Sequence, residues 1–184
     1  MARTESKMFP LGKLAPDFSL IEPASGKMRS FEELSSSTAT VVMFICNHCP
    51  FVIHVAEELS KIGKEYGEKG VSFIAINSND IENYPADSPD NMVKMVNEWG
   101  LTYPYLFDET QEIAKAYDAA CTPDFYVFNG EKRCVYRGQL DGSRPGNDIP
   151  VTGEDLRAAL DAVLEGREVP QDQKPSLGCG IKWK

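Results

Sequence analysis

Two cysteines, Cys46 and Cys49, stand two residues apart and carry the chemistry that the sequence indicates most strongly. Two thiols at this spacing can close a small disulfide. One can attack a disulfide of another molecule, and the second can then resolve the mixed disulfide. His48 lies between them and, when protonated, would add positive charge and make the disulfide more oxidising. The spacing therefore predicts a redox-active dithiol.

The same pair is compatible with two other roles. Two cysteines separated by two residues also form half of many zinc and iron–sulfur sites. Ordinary cysteines without reactivity are common in apolar cores. The redox interpretation is favoured because the residues on both sides of the pair predict the elements that activate a thiol.

A buried strand and an amphipathic helix are predicted on the two sides of the pair. The run from Val41 to Ile45 is apolar and rich in β-branched residues, which is typical of a strand covered on both faces. Pro50 suits the first turn of a helix. Apolar residues then recur at helical spacing, at Phe51, Val55, Leu59, Ile62 and Tyr66, with Glu57, Glu58, Lys61, Lys64 and Glu65 on the other side. The N-terminus of such a helix stabilises a thiolate.

The remaining chain predicts an α/β arrangement. Residues 71–76 form a second buried strand, and the strand–helix–strand order implies parallel pairing with a right-handed crossover. Residues 77–90 are rich in Asn, Asp, Ser and Pro and are expected to be a solvated connection. A helix over 91–99, a hairpin turn at Asn129-Gly130 and a last helix over 152–164 follow.

A single domain over residues 1–184 is predicted, with its core at about 11–165. Residues 1–9 are expected to be a loose arm, and 166–184 a polar C-terminal tail. Residues 11–21 and 28–31 are expected to pair as a hairpin at the sheet edge. Cys179 lies in the tail between two glycines, where an inert cysteine is favoured over a resolving thiol.

Composition excludes some classes of function. The chain has 184 residues, 42% of them hydrophobic, and a net charge of −9, which argues against nucleic acid and anionic membranes as partners. No apolar run is long enough to span a bilayer, and no hydrophobic signal segment is evident, so we expect a cytoplasmic protein. In that compartment a static disulfide framework is not expected, and reactive or metal-binding roles are expected for some of the five cysteines.

The order of these elements resembles the thioredoxin-like superfamily. Cys46-x-x-Cys49 after a strand, and Thr122-Pro123 before a hairpin, carry that resemblance. Residues 12–18 and 103–125 are similar to the peroxiredoxin-like (AhpC/TSA, redoxin) subgroup. The resemblance implies an α/β thioredoxin-like fold with a central mixed β-sheet flanked by helices, and here an N-terminal β-hairpin extension.

The resemblance also assigns roles to residues. Pro123 would be a cis-proline facing the cysteines, and the Thr122 backbone would pair with a peptide substrate. Cys46, at the helix tip, would be the more exposed, attacking thiol, and Cys49 would resolve. Cys121 would lie nearby, as a packed residue, a further redox thiol or a metal ligand together with Cys46, Cys49 and His48.

The implied activity is thiol–disulfide exchange without a cofactor. The substrates would be protein disulfides or thiols, with a thioredoxin or a low-molecular-weight thiol as reducing partner. A homodimer is left open. Peroxide reduction is an alternative, but the Pro-x-x-x-Thr-x-x-Cys pattern of family peroxidases is absent around both Cys46 and Cys49. A metal-binding thioredoxin-like protein is the other alternative.

Overall fold

A computed structural model describes residues 3–184 of the protein. The strands are β1 Arg3–Glu5, β2 Ser19–Glu22, β3 Lys27–Ser30, β4 Ala39–Phe44, β5 Val71–Asn77, β6 Tyr105–Phe107, β7 Cys121–Thr122, β8 Asp124–Asn129, β9 Cys134–Gly138 and β10 Leu177–Gly180. The helices are α1 Phe31–Leu34, α2 Pro50–Gly67, α3 Pro89–Trp99, α4 Glu112–Ala116 and α5 Glu154–Leu164, with a short 3-10 turn at Pro85–Asp87.

A seven-stranded mixed sheet forms the centre, in the order β3-β2-β6-β5-β4-β8-β9. Strand β4 pairs parallel with β5 and antiparallel with β8, and every one of its residues is buried. The predicted buried strand before the cysteines and the parallel crossover are therefore confirmed. The predicted N-terminal hairpin is β2 and β3, which pair antiparallel at one edge of the sheet.

Helix α2 begins at Pro50 and packs one face on the sheet, as the spacing predicts. The predicted apolar positions Val55, Leu59, Ile62 and Tyr66 are buried, whereas Phe51 is half-buried. Glu58 differs from its prediction as an outward residue. Its side chain is buried, and its carboxylate accepts a hydrogen bond of 2.6 Å from Arg157 of α5. A charge buried in this way needs such a partner.

The second face of the sheet carries an aromatic core to which the N-terminal segment contributes. Phe9 is only 1% exposed and packs edge-on against Tyr126 and Phe128. Burying an aromatic side chain contributes about 1.5–3 kcal/mol, enough to hold a segment in place. The prediction of a loose arm over residues 1–9 is therefore wrong for 3–9. Residues 1 and 2 lie outside the described part of the chain.

A small second sheet joins the two ends of the described chain in the order β1-β10-β7. Arg3–Glu5 pairs antiparallel with Leu177–Cys179, and β10 pairs in turn with Cys121–Thr122. The expected polar tail therefore contains a strand that is hydrogen-bonded on both sides. The boundary predicted between the core and the tail, at residue 166, stays a prediction.

Within residues 3–184, no helix combines the length and the apolar character that crossing a bilayer requires.

Candidate functional site

The two cysteines of the pair lie where β4 turns into α2. Cys49 is the N-cap residue of α2, and Pro50 occupies the first helical position, where the missing N–H of proline costs nothing. The sulfurs of Cys46 and Cys49 are within hydrogen-bonding distance of each other. The sequence therefore brings both thiols to the positive end of an 18-residue helix, as predicted.

The turn between the cysteines is held by Asp87. One carboxylate oxygen accepts hydrogen bonds from the backbone N–H groups of Asn47, at 2.7 Å, and His48, at 3.3 Å. The other oxygen accepts a 2.8 Å hydrogen bond from Asn79. Asp87 is fully buried. A buried carboxylate with these donors fixes the conformation of the Cys46–Cys49 turn.

His48 faces this carboxylate and not the sulfurs alone. Its Nδ1 lies 2.6 Å from Asp87 Oδ2, but without the direction of an N–H···O hydrogen bond. Its ring stacks on Tyr84 at 5.8 Å between centroids. A positive charge on His48 would therefore offset the charge of Asp87 first.

Thr122 contacts the sulfurs of both cysteines. The peptide bond between Thr122 and Pro123 is cis, which confirms that prediction. Thr122 Oγ1 is 3.6 Å from Cys46 Sγ, and Thr122 O is 3.5 Å from Cys49 Sγ. The predicted supporting residues Thr122 and Pro123 thus adjoin the pair. The Thr122 backbone was expected to pair with a peptide substrate. In the structure it pairs with β10 of the same chain.

Cys179 is a third sulfur in the site. It lies opposite Thr122 in the β7–β10 pairing, and its side chain hydrogen-bonds to Cys49. Cys49 is therefore the middle sulfur, with Cys46 on one side and Cys179 on the other. Strand β10 carries this residue into the core that contains the pair, and the expectation that Cys179 is inert stays a prediction.

The charge of the reduced site is expected on Cys49. The S–H groups of Cys179 and Cys46 point toward its sulfur and lower the pKa of Cys49, and a backbone N–H of Val52 adds to this effect. The pKa of Cys46 is raised well above 9, because its proton is held in the bond to Cys49, because it is buried and because Asp87 is negative. Cys46 is 1% exposed and Cys49 0%. Both thiols are buried, and the role of Cys46 as the attacking thiol stays a prediction.

Cys121 stays outside the contact of the three sulfurs. It is fully buried in β7, and burial raises the pKa of its thiol. Ligand atoms of Cys46, His48 and Asp87 lie within 4.8 Å of one another, a set that could hold a metal ion. The structure thus replaces the metal set expected from Cys46, Cys49, Cys121 and His48 by one that includes Asp87.

A narrow cleft beside the pair is lined by Phe51, Pro123, Leu140, Arg144 and Leu177. Phe51 and Pro123 thus line one surface. Arg144 is half-buried there and donates to the backbone carbonyls of Asp141 and Ser143.

Asp87 and Cys179 are the residues that sequence reasoning missed. One available signal for Asp87 was its position in the loop after the carboxyl end of a buried strand, where sites form in open α/β sheets. The solvated connection predicted over 77–90 is wrong for the five residues Asn77, Ser78, Asn79, Asp80 and Asp87, which are buried. For Cys179 the signal was a glycine on each side, typical of close backbone approach.

The fold and the paired cysteines define the thioredoxin-like class of α/β proteins. The structure is similar to that of a secreted disulfide oxidoreductase of Mycobacterium tuberculosis, with a TM-score of 0.60 and 18% sequence identity. The match covers 79% of this chain and 95% of that one. This likeness concerns the fold. The family model described as Redoxin matches residues 10–156, and the chain belongs to the Redoxin family.

Two further relatives place the chain within this family. It is 25% identical to the thiol-disulfide oxidoreductase ResA of Bacillus anthracis over 132 residues, which cover 71% of this chain and 70% of ResA. An uncharacterized conserved protein from Geobacillus kaustophilus, known from a crystal structure, is 64% identical in sequence to this chain, with a TM-score of 0.98. The match covers 100% of this chain and 97% of that one. The chain is therefore a homologue of thiol-disulfide oxidoreductases, at low sequence identity.

Proposed function

We propose that the protein is a thiol–disulfide oxidoreductase whose redox pair is Cys46 and Cys49. The observation that carries this proposal is the position of both cysteines where β4 turns into α2, with Thr122 Oγ1 3.6 Å from Cys46 Sγ and Thr122 O 3.5 Å from Cys49 Sγ. Thiol–disulfide exchange needs a thiolate and a second thiol that reaches it. This arrangement supplies both in one turn of the chain.

The Cys49 thiolate serves as the proton acceptor for Cys46. As Cys46 Sγ attacks a substrate disulfide, its proton moves to Cys49 along the S–H···S bond, and the substrate releases one thiolate. Cys49 then gives the proton to that thiolate and attacks Cys46 Sγ in the mixed disulfide. The second substrate thiolate leaves, so the substrate is reduced by two electrons and the Cys46–Cys49 disulfide has formed.

The partners follow from this cycle. The substrate is a protein disulfide or thiol that approaches along the cleft of Phe51 and Pro123. A thioredoxin or a low-molecular-weight thiol then reduces the Cys46–Cys49 disulfide. A reducing compartment such as the cytoplasm suits this direction of the reaction, because the thiols there are kept reduced.

The test uses Cys46→Ser and Cys49→Ser in the reduction of insulin and of oxidised glutathione. We expect each variant to fall to the rate of the reducing agent alone, because neither can complete the two exchange steps. Cys134→Ser is the matched control, since Cys134 is a buried thiol on the other face of the sheet. If both site variants keep the wild-type rate, the proposal is wrong.

Reduction of a small hydroperoxide is a second candidate, favoured by the burial of both sulfurs. A site closed to large molecules still admits a peroxide. A thiolate would take the terminal oxygen and become a sulfenic acid with release of water or an alcohol, and the other thiol would condense with it to the disulfide and water. Stopped-flow measurement of peroxide consumption separates the two, since a thiol–disulfide oxidoreductase reacts with peroxide no faster than free cysteine.

A further inference from the structure

The middle position of Cys49 gives it two neighbours for a disulfide. Thr122 Oγ1 lies 3.6 Å from Cys46 Sγ and Thr122 O lies 3.5 Å from Cys49 Sγ, and Cys179 of β10 is paired directly opposite Thr122. The three sulfurs belong to the same apolar core, and each residue is at most 2% exposed. A thiol that already touches a sulfur can exchange with a disulfide at that sulfur without a large movement.

Strand β10 is shaped to hold Cys179 at this contact. A Cβ atom on Gly178 would lie 1.9 Å from the Thr122 carbonyl oxygen, so only glycine allows the two backbones to come this close. The same carbonyl oxygen lies 3.5 Å from Cys49 Sγ. Thr122 O therefore lies between the strand that carries Cys179 and the sulfur that Cys179 contacts.

Neighbouring residues hold both ends of β10. On one side Ser176 Oγ lies within hydrogen-bonding distance of the buried Asp124 carboxyl, at 2.9 Å, and of Gly138 O, at 2.7 Å. On the other side Ile181 N donates to Ala120 O, at 3.0 Å, and Lys182 N donates to Asn79 Oδ1, at 2.9 Å. These bonds fix the position of Cys179, as the second thiol of a disulfide partner must be fixed.

We propose that Cys179 is a third redox-active thiol and that it takes over the disulfide from Cys46. This inference rests on the proposed function. The Cys179 thiol loses its proton as it attacks Cys49 Sγ of the Cys46–Cys49 disulfide. The Cys49–Cys179 bond forms, the Cys46–Cys49 bond breaks, and Cys46 leaves as the thiolate that takes up this proton. No electrons are gained or lost in this step. It returns Cys46 to the thiol form while the protein stays oxidised.

A peptide map distinguishes the two disulfides. Trypsin leaves Cys46 and Cys49 together in the peptide 30–61, and Cys179 in the peptide 168–182, since the bond between Lys174 and Pro175 is not cut. The Cys46–Cys49 disulfide stays inside one peptide, whereas Cys49–Cys179 links the two. Wild-type protein and Cys46→Ser are equilibrated with reduced and oxidised glutathione, quenched in acid, alkylated, digested without reductant and weighed by mass spectrometry.

We expect linked peptides 30–61 and 168–182 in the Cys46→Ser protein and, as a fraction, in the wild type. Glutathione bound to Cys49 of Cys46→Ser should be at least about tenfold lower than in Cys46→Ser/Cys179→Ser, because a tethered thiol acts at a high effective concentration. Cys46→Ser/Cys134→Ser is the control and should match Cys46→Ser. The wild-type map needs no substitution and therefore tests the proposal even if a variant is unstable.

Equal glutathione on Cys49 with and without Cys179, together with no linked peptides in the wild type, would overturn the inference. Such a result would leave the proposed function intact if Cys46→Ser and Cys49→Ser still lose disulfide reduction. Conversely, full activity of those two variants would refute the proposed function whatever the peptide map shows.

Discussion

Asp87 sets the properties of the cysteine pair through both its hydrogen bonds and its charge. It holds the backbone of the turn, and its negative charge disfavours a thiolate at Cys46. The site therefore combines a fixed geometry with a Cys46 thiol that stays protonated until its proton can move to Cys49.

Replacement of Asp87 by Asn should make Cys46 more reactive. Removing a negative charge within about 5 Å of the sulfur lowers the pKa of Cys46, and we expect at least about tenfold faster alkylation by iodoacetamide at neutral pH. The measurement is the pH dependence of Cys46 alkylation, read from fragment ions of the peptide. Asp90→Asn, at an exposed position on α3, is the matched control. An unchanged profile would contradict this role of Asp87.

At the scale of elements, β10 is the part that completes the site. It lies between β1 and β7, and its fit depends on the bare backbone of Gly178 against Thr122. The strand also covers the sulfurs, so its attachment decides how readily a reagent reaches them. Because β10 is hydrogen-bonded along both edges, it is held in place like an inner strand of a sheet.

Gly178→Ala should loosen this strand. The new methyl group would meet a backbone oxygen that cannot turn aside, and we expect a loss of about 1–3 kcal/mol in the free energy of unfolding. Urea unfolding gives the stability, and the rate of reaction with a coloured disulfide reagent gives the access to the thiols, which should increase. Gly180→Ala is the control, because its Cβ meets only the rotatable side chain of Thr4 at 3.1 Å. Equal effects of the two substitutions would argue against a special fit at Gly178.

What the sequence could predict depended on how local the signal was. The strand before Cys46 and the helix after Pro50 follow from adjacent residues, and both are present in the structure. The burial of Asp87 has no local signal, because Asn, Asp and Ser look alike in a solvated loop and in a polar network. The position of Cys179 depends on pairing with Thr122, and a contact between segments so far apart leaves no periodicity to read.

At the scale of the whole molecule, a buried acid ties the C-terminal segment to the sheet. Asp124 follows the cis-proline, and its carboxylate accepts hydrogen bonds from Ser176 and Tyr126. Burial raises the pKa of Asp124 to about 7 from its ordinary value of 3.8. Between these values the folded protein binds more protons at this site than the unfolded chain does. The free energy of unfolding therefore falls as the pH rises through this window.

Asp124→Asn should remove this pH dependence. The amide can keep the bonds to Ser176 and Phe125, and Tyr126 can donate to Tyr117 O, so the neutral side chain suits the site at every pH. We expect the variant to gain up to about 4 kcal/mol relative to the wild type between pH 4 and 8. Urea unfolding across that range measures it, with exposed Asp148→Asn as the control. Parallel curves for the variant and the wild type would contradict this account.

The placement of Cys179 130 positions after Cys49 has a consequence during synthesis on the ribosome. When the cysteine pair of a nascent chain has left the ribosome, β10 has still to be translated. At about 5–20 residues per second this takes roughly ten seconds. In that interval the pair has no cover and meets cellular oxidants and other nascent thiols directly.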